Sequence, residues 1–329
     1  MFLSVMEIRR RLAAANPQVY EPDLAMVQNN LGILYKDTQR YEESEKMYLS
    51  AMEIYRRLAA VNPQVYEPDL ATIQNNLGIL YKDTQRYEDS EKMYLSAMEI
   101  RRRLAAANPQ VYEPDLAGIQ NNLGCLYDNT QRYEESGEMY LSAMEIYRRL
   151  AAANPQVYEP GLVRACNNLS CLFLVQGNFE EAERYAREGA KYDSTHHTIY
   201  TNLAASLLFQ GRYAEAEEIY LRYKEELKED FLSDFEDFYQ RGIIPPERED
   251  DVERIKSCCR NRQRHTFDRD RCGCGLGSIT HHWINEPSRL YTIQKNRIRI
   301  WKQRKTHVCC HWIPFGDSIC FLLWVSPRW

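Results

Sequence analysis

Apolar residues recur at helical spacing in two successive stripes between Pro22 and Asn62. The first stripe consists of Leu24, Val27, Leu31, Leu34 and Tyr35, and the second of Tyr41, Ser44, Tyr48, Ala51, Tyr55 and Leu58. Spacings of three and four residues place each set on one face of a helix. Thr38-Gln39-Arg40 separates the stripes, and Asn62-Pro63 ends the second. The pattern predicts two packed helices, with residues 63–67 as a linker to the next helix at Pro68.

This two-helix unit is repeated along the chain. Asn-Asn-Leu recurs every 46 residues, and a further copy, Thr201-Asn202-Leu203, follows the fourth after 34 residues. Residues 31–76 and 77–122 differ at only four positions. Neither helix of a unit can bury its apolar stripe alone, whereas stacked neighbours can, so the repeat predicts a solenoid with local contacts.

The repeats carry a recognisable motif. Leu31-Gly32-x-x-Tyr35 is followed by Ser44-x-x-x-Tyr48, and the same pattern returns in the next units and at Ala216-x-x-x-Tyr220. This resembles the tetratricopeptide repeat family, and the long 46-residue units look like those of kinesin light chains and bacterial tandem-repeat proteins. The resemblance implies an all-α, right-handed superhelical solenoid of helix-turn-helix repeats whose first helices line a concave groove. Two family positions differ: glutamine replaces the leading Trp at Gln28, Gln74 and Gln120, and the inter-helix Gly at Gln39, Gln85 and Gln131.

These observations divide the chain into three regions. Residues 1–230 are predicted to form the solenoid, with an orphan second helix at 1–15 and repeats near 22–62, 68–108, 114–154, 160–191 and 195–229. Small residues at 32, 44 and 51 indicate a close approach of the paired helices. Residues 231–256 are predicted to form capping helices, with Phe231, Phe235 and Phe238 on one face.

Composition changes sharply at residue 257. Residues 257–329 contain all five Trp, seven of the ten Cys, and 13 Lys and Arg against four Asp and Glu. One interpretation is a zinc site, since thiolates and imidazoles are preferred zinc ligands, but adjacent and Cys-x-Cys pairs lack the usual spacing. The other interpretation, which we favour, is a segment that does not fold, so we predict an unstructured tail.

No catalytic or cofactor motif accompanies the repeats. The chain has no Gly-rich phosphate loop and no Gly-x-Ser-x-Gly elbow. The net charge of -5 does not favour nucleic-acid binding, and no apolar run is long enough to span a membrane. The N-terminus lacks the features of a secretory signal. We therefore expect a cytoplasmic, non-catalytic protein without cofactor or metal, in which Cys125, Cys166 and Cys171 are free thiols.

The candidate binding site lies on the groove face of the first helices. Residues outside the core stripe fall on one face at helical spacing. The predicted peptide-binding set is Asn29, Ile33, Lys36, Asp37, Asn75, Ile79, Lys82, Asp83, Asn121, Asp128, Asn129 and Asn167. An asparagine amide can both donate to and accept from a peptide backbone, and the resemblance to kinesin light chains implies that use. Alternatively, the asparagine columns hydrogen-bond neighbouring helices. The change from Lys36 and Lys82 to Asp128 suggests a basic half followed by an acidic third repeat.

The sequence therefore predicts a scaffold that binds a protein or peptide in its concave groove. One alternative is a regulatory or sensor fragment of a larger multidomain protein. A second is a zinc or nucleic-acid binder that depends on the tail. Because residues 1–15 lack the first helix of their unit, self-association through the incomplete N-terminal repeat is a further possibility.

Overall fold

The computed structural model describes residues 2–192 and 198–260, and every regular element within these ranges is helical. The helices are α1 Phe2–Ala15, α2 Pro17–Asp37, α3 Tyr41–Val61, α4 Pro63–Asp83, α5 Tyr87–Ala107, α6 Pro109–Asn129, α7 Tyr133–Ala153, α8 Pro155–Val175, α9 Phe179–Ala190, α10 Thr198–Phe209, α11 Tyr213–Arg222, α12 Lys224–Gln240 and α13 Glu249–Arg260, with a 3₁₀ turn at Pro246–Arg248 before α13. Helix α13 continues past the composition change at residue 257. The predicted zinc ligands and unstructured segment beyond Arg260 lie outside the described residues.

The first helix of each long repeat begins earlier than the pattern predicted. Pro63 is the first residue of α4, and Pro68 lies inside the helix. The prediction of a linker over residues 63–67 is therefore wrong. Either proline can begin a helix, because the first turn has no use for the missing N–H. The internal Pro68 costs one backbone hydrogen bond to Gln64, which is exposed and can use water instead.

The paired helices approach each other closely, as the small residues predicted. A Cβ added to Gly32 would lie 2.5 Å from the Tyr48 ring, and one added to Gly78 would lie 2.6 Å from Tyr94. Ser44 lies beside this contact and donates its hydroxyl to the Gly32 carbonyl over 2.7 Å. A larger side chain at position 32 or 78 would hold the helices apart.

Successive repeats are joined by an ion-pair clamp that the sequence reading missed. Glu45 accepts from Tyr81 Oη at 2.9 Å and from Arg86 Nη1 at 2.8 Å, both in the following repeat. The Arg86 guanidinium also lies 4.1 Å from the centre of the Tyr81 ring. The next repeat uses Glu91, Tyr127 and Arg132 in the same way. Glu45 therefore links two successive repeats.

First helices of successive repeats contact one another along the solenoid, from α2 through α4, α6 and α8 to α10. Their side chains form a continuous surface, which we call the groove face. It carries the candidate site. The aromatic residues predicted to cap the array, Phe231, Phe235 and Phe238, are buried on α12, which begins at Lys224 rather than at residue 231.

Candidate functional site

An asparagine ladder runs along the groove face. Asn76 Nδ2 donates to Asn29 Oδ1 over 2.9 Å, and Asn122 Nδ2 donates to Asn75 Oδ1 over 3.0 Å. The ladder continues from Asn168 to Asn121 at 3.0 Å and from Asn202 to Asn167 at 3.1 Å. Each of these hydrogen bonds, which we call rungs, joins the first position of the asparagine pair in one repeat to the second position of the pair in the next repeat. The alternative, that the asparagines hydrogen-bond neighbouring helices, therefore holds for the amide oxygens in these rungs.

The ladder uses only part of each amide. In the rungs, Asn75 and Asn121 act as acceptors, and their Nδ2 groups have no hydrogen-bond partner among the described residues. Asn29 differs slightly, since its Nδ2 lies 3.4 Å from Asn30 Oδ1. Asn121 is buried, whereas Asn29, Asn75 and Asn167 are half-buried. The groove asparagines thus present oriented N–H donors whose geometry is held by the repeat stacking.

Apolar side chains are exposed beside the ladder. Ile33 retains 38% of its surface and Met26 retains 51% on the first repeat, and Ile79 is half-buried at the position equivalent to Ile33. The same column continues with Cys125 in the third repeat. The first two repeats therefore combine an apolar strip with amide donors one helical turn away.

The lysines of the groove face do not form a basic surface. Lys36 Nζ lies 3.1 Å from Asp37 Oδ1, and Lys82 Nζ lies 3.1 Å from Asp83 Oδ1. The hypothesis of a basic half is therefore wrong, since each repeat contributes a neutral ion pair. The positions remain polar, and partial exposure of both members of each pair keeps its contribution to stability small.

The third repeat brings a different charge into the groove. Burial raises the pKa of the Asp128 carboxyl, an effect that Arg241 on the C-terminal side opposes. Asp128 Oδ1 is buried and has no hydrogen-bond partner. Arg241 is held instead by Asp237, with Nε 2.9 Å from its carboxylate. Asp128, which the sequence predicted to make the third repeat acidic, therefore lies near Arg241, a residue that follows the repeats.

A cleft of about 620 Å³ opens at this meeting point. Its lining comes from the end of α6, the turn to α7 and the start of α7, the first residue of α5, the last residue of α8, and the end of α12 with the residues that follow it. The lining includes Asp128, Asn129, Tyr133, Gln240, Arg241 and Ile243. Asn129 is exposed at the rim. The predicted site residues thus fall into an open part on α2 and α4 and a part at α6 that borders this cleft.

Comparison with known families identifies the repeat. A family model described as "Tetratricopeptide repeat" matches residues 24–62, 70–108, 116–154, 162–191 and 198–222. The chain belongs to the tetratricopeptide repeat family. In this family's terms, α2, α4, α6, α8 and α10 are the first helices of five repeats, and the Gly32–Tyr48 contact joins the two helices of one repeat.

One solved structure with a TM-score above 0.5 shows the same fold. The apo form of RapI aligns with a TM-score of 0.55 at 16% identity, over 79% of this chain and 70% of that one. BtubC (BKLC) from P. vanneervenii aligns with a TM-score of 0.49 at 18% identity, over 87% and 96%. A putative kinesin light chain of Podospora anserina with nearly identical TPR-like repeats gives a TM-score of 0.48 at 15% identity, over 64% and 97%. A search of curated protein sequences finds no match.

The described ranges carry neither a metal cluster nor a membrane-spanning helix. Residues 2–192 and 198–260 contain no group of three or more His, Cys, Asp and Glu side chains placed to hold a metal ion. No helix in the same ranges is long and apolar enough to cross a bilayer. Cys125, Cys166 and Cys171 are free, with Cys166 buried and the other two half-buried.

Proposed function

We propose that the groove face of α2, α4 and α6 binds a short segment of a partner protein, without catalysis. The observation that supports this most directly is the pairing of exposed apolar side chains with amide donors that the ladder leaves available. Ile33 and Ile79 offer contact area, while the half-buried Asn75 offers an N–H group to a backbone carbonyl. The predicted peptide-binding residues on α2, α4 and α6 remain our candidates, together with Asn167 on α8.

The neutral ion pairs determine the charge of the partner segment that we expect. Because Lys36 and Lys82 are each paired with the next aspartate, the groove offers little net charge to attract a strongly acidic segment. Binding would then rest on apolar contact and backbone hydrogen bonds, with weak dependence on salt. A cytoplasmic location for both partners remains our prediction.

The test uses two equivalent pairs of substitutions in the full chain. Ile33→Glu/Ile79→Glu places two carboxylates in the groove, and Leu49→Glu/Leu95→Glu places them on second helices, where both leucines are about as exposed as Ile33. Each protein is immobilised and incubated with lysate, and retained proteins are identified by mass spectrometry. Circular dichroism first checks that all three proteins have equal helicity.

We expect a partner retained by the unmodified chain and the Leu49/Leu95 variant, and lost from the Ile33/Ile79 variant. Retention by all three proteins would show that binding occurs away from the groove and would refute the proposal. The alternatives of a fragment of a larger regulatory protein and of a tail-dependent zinc or nucleic-acid binder make no use of these isoleucines.

Self-association through the first repeat is a second candidate, favoured by the surface of α2. Leu34 is 42% exposed, whereas its equivalents Leu80 and Leu126 are each 1% exposed against a preceding repeat. Asn30 is likewise exposed, while its equivalent Asn76 is a ladder donor. Sedimentation equilibrium should show dimers that Leu34→Glu dissociates; a monomeric unmodified chain would exclude this candidate.

A further inference from the structure

The groove face changes character towards its C-terminal end. At the positions of Asn29, Ile33, Lys36 and Asp37, helix α10 carries Thr201, Ala205, Leu208 and Phe209. All four are buried, with exposures between 0% and 7%, whereas Ile33 is 38% exposed. Helix α10 is apolar around its circumference, as expected of a helix covered on every side. Some element must therefore cover the groove face at this end.

The covering element is α12. The Phe238 ring meets the Phe209 ring edge to face, with centroids 5.6 Å apart. Phe235 on the same helix packs against Tyr220 of α11 at 5.4 Å. Asp234, one turn before Phe238, lies close enough to Thr201 for that residue to lower the pKa of its carboxyl. Helix α12 thus packs against an apolar groove position of α10, Phe209, and lies near a polar one, Thr201.

The C-terminal end of α12 extends the cover beyond the fifth repeat. Asp234, Asp237 and Arg241 are close enough to Cys171 on α8 to affect the pKa of its thiol, although burial is the largest cause of its rise to about 12. Cys171 occupies the groove column of Ile33 and Ile79. Arg241 and Asp128 of α6 both line the cleft described above. The end of α12 thus lies across this cleft from Val175 at the end of α8 and from Asp128 on α6.

We propose that α12 is a built-in occupant of the rear half of the groove, which removes Asn167 on α8 from the binding candidates and leaves only α2, α4 and α6 to receive a partner. Packed helices lie about 8–10 Å apart, so three of them offer a path of roughly 20 Å. An extended chain rises about 3.3 Å per residue, and such a path fits a segment of about six residues. This consequence for the partner rests on the proposed function: the partner is a short extended segment that ends at the cleft, rather than a long helix.

The occupancy itself can be tested without any partner. Cys171 is half-buried on α8 near the charged residues of α12, while Cys166 on the same helix is buried within the repeat core. The full chain is treated with N-ethylmaleimide, and labelling of each cysteine is followed by peptide mass spectrometry. Phe238→Ala removes the ring that holds α12 against Phe209. Arg241→Glu is a second variant that repels Asp128 and Asp237 but leaves the aromatic packing intact.

We expect Phe238→Ala to accelerate labelling of Cys171 at least tenfold and Arg241→Glu to accelerate it a few-fold, with Cys166 unchanged in both. Unchanged labelling of Cys171 in both variants would show that α12 does not cover the groove. Equal acceleration of Cys166 would show that α12 is part of the cooperative core rather than a separable occupant. Either result would overturn the proposal. Because no partner is present, these outcomes are independent of the pull-down described above.

Discussion

At the residue scale, the small positions of the repeat were predictable because they recur in phase. Gly32, Gly78 and Gly124 each lie against a tyrosine ring of the paired helix. The asparagines were harder, since an amide suits both a peptide backbone and a neighbouring helix, and recurrence through repeat copying cannot separate the two. Only the distances show that Oδ1 of Asn29 and Asn75 serves the repeat stacking.

Two glycine-to-alanine substitutions in equivalent helices should have opposite effects on stability. A Cβ at position 78 would lie 2.6 Å from Tyr94, whereas one at position 118 meets only Tyr147 Oη at 3.7 Å. Gly78→Ala should lower the free energy of unfolding by about 1–3 kcal/mol through overpacking. Gly118→Ala should raise it by about 0.5–1 kcal/mol, since alanine is the better helix former. Urea unfolding of both variants checks this; a neutral Gly78→Ala would contradict the close approach.

At the element scale, the motif specified the geometry of the turns between paired helices but not the residues at which the helices begin. Glutamine occupies positions 39, 85 and 131, where the family has glycine. The structure gives these residues a φ of 59–60°, and Gly177 and Gly211 occupy the same turn at 73° and 80°. The turn geometry is therefore kept despite the substitution. The helix starts were not predictable, because Pro63 and Pro68 are both suited to the first turn.

Substitutions at Gln85 should rank by their tolerance of positive φ. The left-handed region raises the conformational free energy of a non-glycine residue by about 1–2 kcal/mol, and it raises that of a β-branched residue by more. Gln85→Gly should therefore raise the free energy of unfolding by up to about 1 kcal/mol, partly offset by the greater freedom of glycine in the unfolded chain. Gln85→Val should lower it by about 1 kcal/mol. Thermal unfolding followed by circular dichroism tests the ranking, and a Val variant more stable than the Gly variant would refute it.

At the scale of the whole molecule, the solenoid followed from the repeat, but the covered groove did not. Periodicity identifies which helices stack, because each repeat contacts its neighbours in the same way. Helix α12 is not a repeat, so its position on α10 has no signal in the period. The available signal was composition: α10 is apolar at positions where α2 carries Asn29 and Lys36. Reading that difference would have predicted a cover over the rear groove.

The cover should make stability depend on pH through Asp234. Burial raises the pKa of this carboxyl to about 6 from 3.8, with Asp230 and Asp237 adding to the rise and the nearby Thr201 opposing it. The folded protein therefore binds this proton more tightly than the unfolded chain, and the ionised carboxylate lowers stability above about pH 6. The contribution of Asp234 to stability should recover as the pH falls from 7.5 towards 4.

Asp234→Asn should remove this dependence. The variant should unfold at a higher temperature than the unmodified chain at pH 7.5, and the difference should shrink at pH 4.5. Glu236→Gln changes an exposed carboxyl on the same helix and serves as the control. If the difference in unfolding temperature between Asp234→Asn and the unmodified chain stayed constant from pH 7.5 to pH 4.5, Asp234 would not be desolvated in the groove.

Binding by the open groove is tested most directly by site-specific photo-crosslinking. Benzoylphenylalanine is placed at Ile79 in the groove or at Leu95 on the exposed face of the following second helix, and each full chain is irradiated in lysate. We predict a crosslinked partner from position 79 and not from position 95, with a contact of a few consecutive partner residues in the crosslinked peptide. A partner crosslinked from position 95 but not from position 79 would contradict binding in the groove.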